Sequence, residues 1–198
     1  MSDYNNAAVF LDRDGTINIE DHEKLLVLDP EEFVLIPKTG KAISKINKLG
    51  LKAIVITNQA AIAKGYMTEN TLLKIHERMA ELLAEDSAHL DDIYYCPHYP
   101  EGKVAEYTKI CECRKPKTSL VKLAQEKYKL DLSRCFVVGD MIRDIELGYN
   151  LNMKSILVLT GKGKITQEEL MKTGHNPDYI AADLYEAVNY IENTLSKN

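Results

Sequence analysis

The sequence predicts an α/β protein built on a mostly parallel sheet with helices on both faces. Two observations carry this. Short apolar runs rich in β-branched residues, such as Ala7-Ala8-Val9-Phe10-Leu11 and Lys52-Ala53-Ile54-Val55-Ile56-Thr57, alternate with segments of helical period. The runs are continuous rather than alternating, as expected for strands buried on both sides, and strand–helix–strand order favours parallel crossovers.

The elements follow in order. The first strand covers Ala7 to Leu11. Lys41 to Leu49 has Ile43, Ile46 and Leu49 on one helical face, with Gly50 as a stop. A second strand runs from Lys52 to Thr57. Thr68 is an N-cap with Glu69 in the first turn, opening a helix to about Glu85 that buries Leu72, Ile75, Met79 and Leu82. Asp92-Ile93-Tyr94-Tyr95 is a third strand. Residues 96–117 then lose periodicity, and a segment this long inside a compact domain needs a reason, usually function or a metal. A helix from Ser119 to Tyr128 and a strand from Cys135 to Val138 come next. A helix from about Ile142 to Tyr149 and a strand from Lys154 to Leu159 follow them. Thr166-Gln167-Glu168-Glu169 has the form of a capping box. The chain ends on a short strand at Tyr179-Ile180 and a helix from about Leu184 to Leu195.

Composition narrows the function classes. The 198 residues suit one domain, 1–198, and a chain of that length buries roughly 70% of its unfolded surface without staples. Hydrophobic residues at 45% and charged residues at 28% are ordinary for a globular protein. A net charge of −5 without long basic runs argues against nucleic acid as a partner. No apolar stretch approaches the roughly 20 residues of a membrane span. Met1 to Asn6 has no basic or apolar signal-peptide region, so the expected compartment is the cytoplasm.

In such sheets ligands bind at the carboxyl ends of the strands. The first strand empties into Asp12-Arg13-Asp14-Gly15-Thr16, where Gly15 permits the bend that aims both carboxylates at one point. Thr57-Asn58 stands at the second exit. Asp140 stands at a third, after Gly139, with Asp144 one turn into the next helix. Carboxylate oxygens without histidine suit Mg²⁺. Taken singly, these are loop-starting aspartates, a helix cap and a strand threonine; together at three strand exits they suit phosphoryl transfer. Asp12 would attack phosphorus, Asp14 would serve as general acid and base, and Thr57 would donate to a phosphoryl oxygen.

Four cysteines, Cys96, Cys111, Cys113 and Cys135, cluster mid-chain. Cys96-x-His98 and Cys111-x-Cys113 supply three sulfurs and one imidazole, the ligand set of a closed structural zinc site, with a loop of free thiols as the alternative. Cys135 reads as a buried small hydrophobe in an apolar strand. His22, His76, His89 and His175 read as surface or helix residues rather than ligands.

At this point the motifs resemble a known family. Leu11-Asp12-Arg13-Asp14-Gly15-Thr16-Ile17-Asn18 is similar to the signature of the haloacid dehalogenase superfamily. More narrowly it resembles the branch of the D-glycero-D-manno-heptose 1,7-bisphosphate and histidinol-phosphate phosphatases. Val55-Ile56-Thr57-Asn58-Gln59, Ile62-Ala63-Lys64-Gly65, Tyr94-Tyr95-Cys96-Pro97-His98, Cys111-Glu112-Cys113-Arg114-Lys115-Pro116 and Val138-Gly139-Asp140 extend the match from about Val9 to Lys164.

The resemblance implies a Rossmann-like, haloacid dehalogenase-type sheet without a large cap, carrying a zinc-binding loop at about 96–113. It implies Asp12 as nucleophile and Asp14 as acid/base. It implies Mg²⁺ bound by the side chains of Asp12 and Asp140 and the backbone carbonyl of Asp14. Thr57 and Lys115 would hold the transferring phosphoryl group, while Asn58 and Arg114 would contact substrate. Cys96, His98, Cys111 and Cys113 would hold Zn²⁺, which orders the loop that carries Arg114 and Lys115. The implied activity is hydrolysis of the C7 phosphate of the heptose bisphosphate by a monomer, with a small phosphorylated sugar as its partner. The alternatives are histidinol-phosphate hydrolysis and a non-catalytic, zinc-stabilised module that binds phosphorylated ligands. The chain departs from the family at Ala60-Ala61, where serine-glycine is usual, at Met141, where lysine is common, and at Tyr99, where a second histidine is frequent. Arg143 is placed to compensate in part for Met141, and Lys64 joins Arg114 as a contact for a second phosphate.

Overall fold

Ala8, Val9, Phe10 and Leu11 are all fully buried, which only a central strand covered on both faces allows. They form β1 (Ala8–Leu11) in the computed structural model, which describes residues 4, 6–19, 26–173 and 176–196. The other strands are β2 (Lys52–Asn58), β3 (Asp92–Cys96), β4 (Phe136–Gly139), β5 (Lys154–Val158) and β6 (Tyr179–Ala181). They pair in parallel in the order β3-β2-β1-β4-β5-β6.

The pleat sends alternate side chains to two layers. Val9, Leu11, Val55 and Val138 join one core with α1 (Thr39–Lys48), a short helix α2 (Ala60–Ala63), α3 (Glu69–Ala84) and, past the last strand, the C-terminal helix Leu184–Leu195. Ala8, Phe10, Ile54, Ile56 and Val137 face the other core, covered by Leu120, Val121 and Ala124 of α4 (Ser119–Tyr128) and by Leu147 of α5 (Ile142–Asn150). Each fully buried large aliphatic contributes roughly 1.5–3 kcal/mol, so two such layers fix the strand register and hence the place of every strand end. The remaining helices are α6 (Gly163–Thr173) and α7 (Leu184–Leu195).

Most expected elements are present within a residue or two. The Thr68 side chain caps α3 by accepting from the Thr71 amide at 3.1 Å. Three expectations are adjusted and one helix is added. Thr166 does not open a helix: α6 begins at Gly163, and Thr166 is buried inside it with its amide bonded to Lys162 O. On α3 Leu82 packs half-buried against the core, and the fully buried face takes Leu83 and His76 as well. Cys135 is fully buried but precedes β4, closing a 3-10 turn at Leu132–Arg134. The helix α2 was not expected; it forms where Ala60-Ala61 stands, two strong helix formers in sequence. His22 and His175 lie outside the described residues, as does the tip of the segment from Ile17 to Pro37. At the base of that segment Asn18 pairs with Leu35 in an antiparallel bridge, and the Ile19 amide donates to Val34 O.

Candidate active site

β1 and β4 are neighbours, so Asp12 and Asp140, each the first residue past its strand, leave the sheet side by side. The first turn of α5 then brings Asp144 to the same point. One oxygen from each of the three lies within 4.8 Å of the others, and all three residues are buried. Glycines make this approach possible. A Cβ on Gly15 (φ +79°) or Gly161 (φ +52°) would collide with the Asp140 carboxylate, and one on Gly139 would collide with Asp144.

Three buried carboxylates repel one another, and the site answers with cations. Lys115, itself buried, sets Nζ 2.9 Å from Asp12 Oδ1 and 2.6 Å from Asp144 Oδ1. Arg143 Nη2 lies 4.0 Å from Asp12 Oδ2. This does not suffice for Asp140. Burial, with Asp12 and Asp144 adding repulsion, pushes its carboxyl up to about 8, although it accepts from the Lys162 amide at 2.7 Å. Asp12 Oδ2 and Asp140 Oδ1 are buried without a hydrogen-bond partner. Two orphaned acceptors beside three hard oxygen donors fit a divalent cation of the Mg²⁺ type.

Asp14 takes no part in that cluster. Its Oδ1 accepts from Arg13 Nε and Nη2 and from Asn18 Nδ2, and its Oδ2 accepts from Arg13 Nη2 and from Gln59 Nε2 at 2.9 Å. Burial raises this carboxyl, but the Arg13 guanidinium and the amide donors more than reverse that and hold it below its ordinary value. Asp14 is therefore held ionised. Gln59 Nε2 also donates to Thr57 Oγ1 at 2.8 Å, which leaves the Thr57 hydroxyl proton free to donate elsewhere.

Asn58 does something sequence reading did not anticipate. Its Oδ1 accepts from the Lys115 amide at 3.0 Å, and its Nδ2 donates to Lys115 O at 3.2 Å. Both ends of the amide hold the backbone of the lysine that reaches Asp12. Arg114 is held on the cysteine loop: it is half-buried, donates to His98 O at 3.3 Å and sets Cζ 5.3 Å from the Tyr99 ring centroid.

Cys96 ends β3, and the loop returns Cys111 and Cys113 to it. The Sγ atoms lie 3.2–3.5 Å apart, and His98 Nδ1 lies 3.2 Å from Cys113 Sγ. All four ligand atoms fall within 4.8 Å of one another. These separations far exceed a disulfide bond of about 2.05 Å and approach the roughly 3.8 Å edge of a tetrahedron with 2.3 Å metal–sulfur bonds. Three sulfurs and one imidazole so disposed fit Zn²⁺ with no open ligand position. Burial and hydrogen bonding from Cys113 push the Cys96 thiol up, a cost that a bound cation reverses.

Asp144 and Arg143 stood beside Asp140 in the sequence reading without a ligand role of their own, and Arg13, Gln59 and His76 were not singled out as site residues. The four-residue step from Asp140 to Asp144, one helical turn, was the available signal for the first. Arg13 is almost fully buried, and His76 receives it: Nη1 lies 3.4 Å from His76 Nε2. Burial and the Arg13 charge push that imidazole down to about 3, so it is neutral and accepts. No sequence pattern marked that pairing. A depression of about 860 Å³ lined by Ser133, Tyr149, Asn152, Lys154 and Asp178 opens at the amino ends of β4 and β5, away from the strand exits that carry the carboxylates.

Comparison with known proteins follows the same lines. A family model described as HAD-hydrolase-like matches residues 112–187. A D-glycero-beta-D-manno-heptose-1,7-bisphosphate 7-phosphatase of Haemophilus influenzae is 40% identical over 158 residues, 79% of this chain and 84% of the relative. A D-glycero-D-manno-heptose-1,7-bisphosphate 7-phosphatase of Chlorobaculum tepidum is 38% identical over 187 residues, 91% of each chain. The crystal structure of D,D-heptose 1,7-bisphosphate phosphatase from B. bronchiseptica, complexed with magnesium and phosphate, superposes with a TM-score of 0.81 at 28% identity, over 98% of this chain and 99% of that one. Sheet order, strand-exit carboxylates and these relatives agree, and the chain belongs to the haloacid dehalogenase-like phosphatase family that the heptose bisphosphate phosphatases represent, as a phosphoric monoester hydrolase.

Proposed function

We propose that the protein hydrolyses the C7 phosphate of D-glycero-D-manno-heptose 1,7-bisphosphate through an aspartyl-phosphate on Asp12. The observation that carries the chemistry is the buried meeting of Asp12, Asp140, Asp144 and Lys115 at two neighbouring strand ends. The substrate follows from the relatives named above.

Asp12, Asp140 and the backbone carbonyl of Asp14 would hold Mg²⁺, with Asp144 close behind. The ion supplies positive charge that offsets the repulsion between a carboxylate and a phosphate. An Asp12 oxygen attacks phosphorus, and the bond from phosphorus to the C7 oxygen breaks. Asp14, ionised in the free site, takes up a proton as the phosphate enters and gives it to the leaving oxygen, and the Arg13, Asn18 and Gln59 cradle stabilises the carboxylate that this transfer restores. A water then attacks the same phosphorus as Asp14 takes its proton. The bond from phosphorus to Asp12 breaks, and the free carboxylate is restored. Lys115 and Thr57 donate to phosphoryl oxygens, Asn58 keeps Lys115 in place, and Arg114 contacts the substrate.

Cys96, His98, Cys111 and Cys113 would hold Zn²⁺, whose part is to fix the loop that ends in Arg114 and Lys115. The product would feed heptose synthesis for surface lipopolysaccharide in the cytoplasm, a compartment that suits free thiols. Among the described residues no helix is long and apolar enough to cross a membrane.

The test is phosphate release from heptose 1,7-bisphosphate and from histidinol phosphate at equal enzyme concentration, with ³¹P NMR identifying the phosphate that remains. The expected product is heptose 1-phosphate, with Asp12→Asn slowing release on the order of 10⁴-fold. Faster turnover of histidinol phosphate overturns the substrate, and full activity in Asp12→Asn overturns the nucleophile.

A further inference from the structure

One ring in the cysteine loop carries two cations. Lys64 Nζ lies 4.8 Å from the Tyr99 ring centroid and Arg114 Cζ lies 5.3 Å from it. Both distances are within cation–π range. The two cations come from separate parts of the chain: Lys64 caps the end of α2, just past the β2 exit, and Arg114 precedes Lys115. All three residues are half-buried.

The arrangement is anchored. Tyr99 donates its amide to Tyr107 O at 3.1 Å and accepts at its carbonyl from the Gly102 amide at 3.3 Å. The amides of Lys103 and Val104 donate to Ala63 O at 2.7 and 3.0 Å, which docks the loop on α2. Arg114 is held further by its bond to His98 O. Among the described residues neither Lys64 nor Arg114 has an ion-pair partner, in a chain whose net charge is −5. Other lysines near the surface, such as Lys117 with Glu112 and Lys127 with Asp92, do have carboxylate partners. Two gathered cations without an internal anion, one of them a single residue from the lysine on Asp12, make a seat for an external one.

We propose that Tyr99 is a specificity-determining positioning residue: its ring holds Lys64 and Arg114 as one anion subsite for the substrate's second phosphate, the one that is not hydrolysed. This rests on the bisphosphatase reading above. The ring keeps two like charges close before substrate arrives, so that the repulsion between them is relieved only when a phosphate enters. A monophosphate lacks the group that draws on this arrangement.

The experiment compares KM and kcat for heptose 1,7-bisphosphate and heptose 7-phosphate in the metal-loaded parent, Tyr99→Leu, Tyr99→Phe, Lys64→Gln and Lys103→Ala. In Tyr99→Leu and in Lys64→Gln the ratio of bisphosphate KM to monophosphate KM is expected to rise on the order of 10-fold, with kcat for the bisphosphate little changed. Tyr99→Phe retains the aromatic face and the parental ratio. Lys103→Ala removes an exposed lysine of the same loop and also leaves the ratio as it was, so a rise there reduces the effect to general positive charge and overturns the proposal. A parental ratio in Tyr99→Leu overturns it, as does an equal rise for both substrates. Should Tyr99→Leu fail to fold, a parental ratio in Lys64→Gln overturns it alone. Failure of the parent to hydrolyse the bisphosphate at all is a different result, and it removes the substrate assignment itself.

Discussion

Asp12, Asp140 and Asp144 reach one point from two strand ends, whereas Cys96, His98, Cys111 and Cys113 reach theirs from one strand end and an irregular loop. The carboxylates are positioned by the sheet itself. Their backbones belong to the centre of the sheet, and three glycines clear the space around them. Their difficulty is charge, seen in orphaned oxygens and in the raised Asp140. The thiols have the reverse difficulty. Their charges can be held as neutral S–H groups, but the loop between them has no helix or strand to shape it. A cation in the first cluster offsets electrostatic repulsion; one in the second would substitute for secondary structure. The two meet in one dipeptide, Arg114-Lys115, which leaves the cysteine cluster and enters the carboxylate cluster.

Lys115 is where breaking that link has the largest expected effect. Its ammonium pairs with Asp12 and Asp144 at buried positions, and Asn58 holds its backbone from both sides. Lys115→Ala leaves two buried carboxylates short of a counter-charge and removes a donor to the phosphoryl group. Turnover should fall on the order of 10³-fold. Lys115→Arg should recover little, because a planar fork does not fit where one point charge meets two carboxylates. Steady-state phosphate release checks both, and near-parental turnover in Lys115→Ala would separate the two clusters functionally.

Cys111→Ser acts on the same link from its other end. Serine removes one sulfur from the four-ligand set and touches neither Asp12 nor substrate. Zinc content by atomic emission should fall, and turnover should drop about 10- to 100-fold through misplacement of Lys115. A variant that has lost zinc and keeps parental turnover shows that the loop holds its shape unaided.

The difference between the clusters also explains what was legible in the sequence. Apolar runs such as Ala7–Leu11 and Lys52–Thr57 are long-range statements, since a strand buried on both faces has one place to go. That fixed Asp12, Thr57 and Asp140 at strand exits from pattern alone. The Cys-x-His and Cys-x-Cys pairs were equally plain, because ligand chemistry survives the loss of periodicity. Asp144 and Arg13 were harder. Asp144 is a helix residue whose burial depends on Gly139 lacking a side chain, and Arg13 is a guanidinium in the core, where composition rules place no charge. The Thr166 box misled for a local reason: the side-chain pattern was present, but the turn from Thr160 to Gly163 had already started the helix. Asn58 stood where expected yet bonds to backbone, and residue type alone does not distinguish a substrate contact from a clamp on a neighbour.

The smallest effect separates charge from shape most directly. Asp140 is pushed up to about 8 by burial and by its two acidic neighbours, above the ordinary 3.8 of an unfolded aspartate. A folded state that holds its proton more tightly than the unfolded state loses stability as that proton is removed. The contribution of Asp140 is therefore complete below about pH 4 and is lost as pH rises through about 8. In magnesium-free buffer the melting temperature should fall by a few degrees from this source between pH 5 and 8. Asp140→Asn carries no proton to lose and should flatten that slope. Added Mg²⁺ should flatten it in the parent, because an ion at the carboxylates favours the ionised form that high pH produces. Thermal melts across this range read the slope directly. If Asp140→Asn keeps the parental slope, the strain of the carboxylate cluster lies in its packing and not in its charge.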